Sequence, residues 1–146
     1  MNSIEVEHNI EIIRADTGKS EFFIMPGTYN EEGSGGPSFG NDNDKGMLGL
    51  YAQLDCRTIE LTHVLIDNKE YDCYLDEEGL YSKAGPIINQ SATELQKDWC
   101  NQTGRVQMSP IVGDVAIDIG LTEESIEQVS KFIEDQNERQ DNTAQA

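Results

Sequence analysis

Apolar and polar residues alternate with period two in four stretches of this chain, and that pattern limits its fold more than any other feature. In residues 4–14, Ile4, Val6, His8, Ile10 and Ile12 fall on one side of an extended backbone, with Glu5, Glu7 and Glu11 on the other. Ile59, Leu61, His63 and Leu65 form a second set, and Tyr71, Cys73 and Leu75 a third. Ile111, Val115, Ile117 and Ile119 form the fourth, after Pro110, which is allowed at a strand start. Residues 21–25, EFFIM, read as a further strand. Setting Ile12 opposite Phe22 leaves the loop Asp16-Thr17-Gly18, with glycine where a type I turn plus bulge needs a left-handed residue.

The middle sets predict a hairpin over 57–77. If both point inward, the numbers of paired residues must sum to an even value, because a one-residue slip turns a whole apolar set outward. The loop is then Asp67-Asn68-Lys69, and Leu65 faces Tyr71, His63 faces Cys73 and Leu61 faces Leu75. Glu60, Thr62, Asp72 and Asp76 are left outside, and Asp76-Glu77-Glu78 closes the strand.

Helical spacing predicts three helices. Met47, Leu50, Tyr51 and Leu54 mark one over 47–55. Ser91 and Glu94 make a capping box for a second over 92–100, with Ala92, Leu95 and Trp99 on one face. Thr122 caps a third over 122–138, with Leu121 and Ile126 placed as a hydrophobic staple and Ile126, Val129 and Ile133 as its apolar stripe. The expected fold is α+β, a small mainly antiparallel sheet of hairpins 4–25 and 57–77 and strand 111–119. Helices 47–55 and 92–100 are expected on one face. Within one domain, 1–26 is the N-terminal hairpin, 27–46 a flexible Gly, Asn and acid-rich loop, 47–120 the core, 121–138 the C-terminal helix and 139–146 a disordered tail.

Acids outnumber bases 28 to 10, for a formal charge of -18 over 146 residues. Direct binding of nucleic acid or an anionic membrane is not expected, since both rest on Lys and Arg; a basic protein partner is permitted. Metals and cofactors are not expected either. In NDNDKG, 41–46, an EF-hand count from Asn41 puts Lys45 at position five and Ala52 at twelve, so calcium is not supported. Asp76, Glu77 and Glu78 on extended chain point alternately to opposite sides and do not converge on a cation. Cys56, Cys73 and Cys100 cannot all pair and show no zinc spacing. No apolar h-region or membrane span is seen, so an intracellular setting with reduced thiols is expected. His63 with Cys73 is the one imidazole–thiol pair the register builds; both face the core, where a cysteine is inert packing.

The stretches LYAQLDCRTIEL at 50–61, YDCYLDEEGL at 71–80, Asn89 with Ala92 after a proline, and IVGDV at 111–115 resemble a family known as domain of unknown function 3846, found in phages, bacteria and large algal viruses. The resemblance covers roughly 47–119. Where many members have a glycine pair before the Ile-Glu step, this chain has Cys56-Arg57-Thr58, and Gly85-Pro86 stands for the family's leucine-proline step. The resemblance implies a small α+β fold, no assigned catalytic residues and a viral or phage accessory role inside an infected cell.

The expectation for function is a non-enzymatic protein-binding module, with Glu60, Asp72, Asp76, Glu77 and Glu78 as the candidate acidic surface. One version is DNA mimicry, in which spaced carboxylates occupy a host nucleic-acid-binding protein. The alternative is a structural or virion-associated protein assembling through helix 122–138. The acidity either carries binding or only maintains solubility.

Overall fold

The structure is a computed structural model that describes residues 3–40, 49–56, 58–78, 87–107 and 109–145. Strands β1 (Ser3–Ile13), β2 (Ser20–Asn30) and β3 (Gly33–Pro37) come first, then helix α1 (Leu50–Leu54). Strands β4 (Ile59–Ile66) and β5 (Lys69–Asp76) follow, then α2 (Gln90–Thr103), β6 (Val115–Leu121) and α3 (Glu123–Gln145). The strands form one antiparallel sheet in the order β3-β2-β1-β6-β5-β4. The expected α+β class is what the chain adopts.

Residues opposite one another in an antiparallel ladder point to the same side. That rule sorts the core into two halves. Ile10 and Ile12 of β1, Met25 of β2, Ala116 of β6 and Tyr74 of β5 share one face, closed by Leu50 and Leu54 of α1. Ile13, Val64, Cys73, Val115 and Ile117 share the other, closed by Ala92 and Leu95 of α2 and by Ile111. The two short helices therefore lie on opposite faces, not on one. The central strands are buried on both sides, so Val115, Ala116 and Ile117 are consecutive and all fully buried.

Both hairpin registers differ from expectation by one residue: in β1–β2 the residues turned to the core are Phe23 and Met25 rather than Phe22, and in β4–β5 the strands carry apolar residues on both sides. Parity fixes a register only where a hairpin has one apolar face, and β4–β5 has two. In β1–β2, Ile12 faces Glu21 rather than Phe22, although Gly18 does take the left-handed conformation at φ +71°. In β4–β5 the turn has two residues, Asp67 and Asn68, at φ 51° and 64°. Positive φ at both positions is the type I′ arrangement that matches strand twist, and Asp and Asn tolerate it. His63 then lies opposite Asp72, and Cys73 opposite Thr62.

Other boundaries move for local reasons. Residues 27–30 continue β2 and Gly33–Pro37 forms β3, so that part of the expected flexible loop is sheet; 41–46, with the rejected calcium pattern, lies outside the described residues. Helix α2 begins a residue before Ser91 because Asn89 caps it, its side chain accepting the Ala92 N–H. Residues 111–114 are not regular strand: Val112 makes a single bridge to Ile88, Gly113 takes φ +86°, and β6 starts at Val115. Thr122 does cap α3, accepting the Ser125 N–H, but the helix continues through Gln145 where a disordered tail was expected.

One glycine shows how tightly β1, β2 and β3 meet. A Cβ on Gly27 would sit 2.7 Å from the Gly36 carbonyl oxygen and 2.7 Å from the His8 ring. Gly27→Ala is expected to lower stability by about 1–3 kcal/mol through overpacking. The check is urea unfolding, where the midpoint should fall at unchanged slope.

Candidate protein-binding surface

The five acids singled out from the sequence do not form one row. Glu60 pairs with Leu75 and lies on the α2 face; Asp72 and Asp76 pair with His63 and Ile59 and lie on the α1 face. Asp72 Oδ1 is 3.3 Å from His63 Nε2, and Asp76 Oδ1 accepts the Glu78 N–H, folding the strand end into an Asx turn. Glu77 and Glu78 are exposed at that turn. The one-residue register change separates Glu60 from its expected neighbours.

Two polar clusters sit elsewhere, one around buried His8 and Asp118 and one around Arg14. Asp118 lies cross-strand from Asp72 and 3.0 Å from Nδ1 of buried His8. Between Asp72 and Asp76 is buried Tyr74, whose hydroxyl is pushed up to about 12, chiefly by burial and then by Asp72 and Asp118. At the β1–β2 turn, Arg14 donates to both Glu21 oxygens at 3.0 and 3.1 Å, to Asp114 at 3.0 Å and to the Gln53 carbonyl at 2.9 Å. The Arg14 guanidinium in turn holds the Glu21 carboxyl below its ordinary value. A cleft of about 710 Å³ opens beside this cluster, lined also by Lys19, Asp76 and Ile87. Five carboxylates, Asp16, Glu21, Asp55, Asp76 and Asp114, line the cleft against Arg14 and Lys19, and Arg14 is already paired with two of them, which disfavours an anionic ligand.

The His63–Cys73 pair is not formed. Cys73 is fully buried opposite Thr62, and burial, helped by Asp72, pushes its thiol up to about 12. A thiolate nucleophile is disfavoured there. His63 stacks instead near Trp99 of α2, ring centroids 5.0 Å apart. Among the described residues, no three His, Cys, Asp or Glu side chains converge as a metal site, and no helix is long and apolar enough to cross a membrane.

The unexplained surface is the α2 face of β1 and β2, beyond the area the helix covers. Glu5, Glu7, Asn9 and Glu11 project there from β1, and Phe22, Ile24, Pro26 and Thr28 project beside them from β2. Phe22 is 67% exposed and Ile24 51% exposed. Glu5 and Glu7 are exposed as well, while Glu11 accepts a hydrogen bond from Ser20. An apolar pair therefore lies next to a row of glutamates. The glutamate row lies on the outer side of β1 as the alternation predicts, whereas Phe22, expected inward opposite Ile12, faces out opposite Glu11. The available signal was EFFIM itself: five successive large or acidic residues cannot all face one core, and an odd register places Phe22 and Ile24 beside the glutamates.

No family model, curated protein or solved structure matches this chain.

Proposed function

We propose that this chain is a non-enzymatic protein-binding module, and that the outer face of β1–β2 receives a segment of another protein that is both basic and apolar. The exposure of Phe22 and Ile24 beside Glu11 and Glu7, with Glu5 further along the same face, carries this reading. Two side chains two residues apart on a strand are about 7 Å apart. Burying each contributes on the order of 1.5–3 kcal/mol. The adjacent glutamates and the net charge of -18 select Lys and Arg in the partner and repel acidic chains. DNA mimicry is the weaker version, because Glu60 is on the other face from Asp72 and Asp76 and the surviving glutamate row has hydrophobic neighbours.

Assembly through α3 has one observation in its favour. The helix docks through Ser125, which accepts the Glu7 N–H, and through Phe132, edge-on to Tyr29 at 5.9 Å, leaving Ile126 and Ile133 outside. Those two side chains are about 10 Å apart along the axis, with Glu127 and Glu134 close by, and form a less continuous patch than Phe22 with Ile24.

The test uses a synthetic peptide of alternating lysine and valine, titrated into isotope-labelled protein at 0.15 M salt. Amide shifts are expected at Glu5–Glu11 and Phe22–Ile24. Phe22→Ser with Ile24→Ser leaves the charge unchanged and is expected to weaken binding about 10–100-fold. Shifts centred on Glu77, Glu78 and α3, with affinity untouched by the double variant, would show mere polycation binding and end the proposal.

A further inference from the structure

We propose that the partner segment binds by adding a strand to the open edge of β2 at residues 20–25, an inference that rests on the protein-binding reading above. Strand β3 covers only the far half of β2, pairing with Gly27, Tyr29 and Asn30. The near half, Ser20–Met25, has β1 on one side and no ladder on the other among the described residues.

The phase of the ladder decides which backbone groups face that open side. Arg14 N–H donates to the Lys19 carbonyl, so odd-numbered residues of β2 bond to β1 and even-numbered ones turn away. The Pro26 carbonyl confirms the phase, since it points outward and accepts the Ser38 N–H at 2.7 Å. Phe22 and Ile24 thus present both their N–H and C=O groups to the open side. They are also the two residues whose apolar side chains stand exposed on the outer face.

Edges of this kind are normally blunted by lysine, proline or a bulge. Here the blocking residues bracket the window without entering it: Lys19 precedes it and Pro26 follows it. The one charge inside, Glu21, is on the α1 face and held by Arg14. A window of six residues spans roughly 20 Å, enough for a short peptide strand. An added strand would set alternate side chains beside Phe22 and Ile24, which calls for apolar residues there. Long basic side chains from its flanks would reach the β1 glutamates.

The occupant is a basic segment of a different protein rather than a second copy. Joining two β2 edges would bring together two chains of -18 each, with Glu11 beside the apolar pair in both. The repulsion works against that assembly and in favour of a cationic strand.

The experiment compares the lysine–valine peptide with the same peptide N-methylated at alternate residues along one edge. Methylation removes strand hydrogen bonding and keeps charge and side chains. With the unmodified peptide, hydrogen exchange at the Phe22 and Ile24 amides is expected to slow at least about 10-fold, and N-methylation should weaken binding by a factor on the order of 10 or more. Ile24→Pro removes an N–H that the fold does not use, so native dispersion should persist while peptide protection at Phe22 is lost. Equal binding of both peptides, with shifts on the outer face but no amide protection, would overturn strand addition and leave the binding surface standing. Absence of peptide binding would overturn both. Protection of the same amides in a dimer of the protein alone would overturn the choice of occupant.

Discussion

Asn89→Ala is expected to lower the unfolding free energy by about 3–5 kcal/mol, more than most single substitutions in this chain. Asn89 is 1% exposed and joins three parts of the molecule. Its Nδ2 donates to the carbonyls of Ile13 and Gly113, each at 3.0 Å, and its Oδ1 accepts the Ala92 N–H at 3.1 Å. Losing the cap costs about 0.5–2 kcal/mol. Leaving two carbonyls without a donor, at least one of them buried, adds about 1–3 kcal/mol each before relaxation. Asn89→Asp separates the roles: it keeps the cap acceptor but sets carboxylate oxygen against two carbonyls, so at neutral pH it should lose at least as much stability as alanine. Urea unfolding of the three proteins is the measurement. A loss under about 1 kcal/mol in the alanine variant, with aspartate neutral or better, would mean that the cap alone matters.

A second large effect is expected at alkaline pH. Burial pushes the Cys73 thiol from 9.0 to about 12, with Asp72 adding to the shift. The folded-state value is raised, so the contribution to stability is fully present below about pH 9, where both states hold the proton. It is lost as pH rises toward 12, because only the unfolded chain ionises across that interval. A shift of this size corresponds to stability on the order of 4 kcal/mol. Tyr74, raised from 10.0 to about 12, acts in the same direction over a narrower range. Unfolding free energy should therefore fall by about 2 kcal/mol between pH 8 and 10.5. Cys73→Ala, though less stable at pH 8 from its cavity, should show a flatter slope. An identical slope in that variant would place the alkaline sensitivity elsewhere. The same burial predicts that Cys73 resists thiol reagents until the protein unfolds.

Element identity was legible in the sequence wherever one periodicity dominated. Residues 4–13, 59–66 and 69–76 alternate and are strands, and Thr122 opens a helix because its hydroxyl meets the Ser125 N–H. Register was not legible, since it depends on which side of a strand is buried and the central strands bury both. In β5, Cys73 enters one half of the core and Tyr74 the other, so apolar parity carries no register information there. The turn did carry it: Asp67-Asn68 suits two left-handed residues, and weighing that chemistry above parity gives the observed pairing. The candidate surface was missed because EFFIM offers two alternate apolar sets, Phe22 with Ile24 and Phe23 with Met25, and only the second turns inward. Moving β2 by one residue exchanges Phe22 from core to solvent, and moving β5 by one residue separates Glu60 from Asp72.

The strand order also bears on how the chain is made. Strand β6 lies between β1 and β5 and carries the sheet ladder from the first hairpin to the second, and the segment leading into it brings Asp114 to Arg14, 100 residues away in sequence. On a ribosome, the segment up to Asp76 emerges as two separate ribbons, each with an unsatisfied side, and β6 is not finished until Leu121. At 5–20 residues per second that interval lasts about 2–9 s. Closing so distant a contact is then slow compared with forming either hairpin. The nascent chain is thus most open to mispairing and chaperone capture in the seconds before its central strand arrives, and lengthening the 77–114 connection would extend that window.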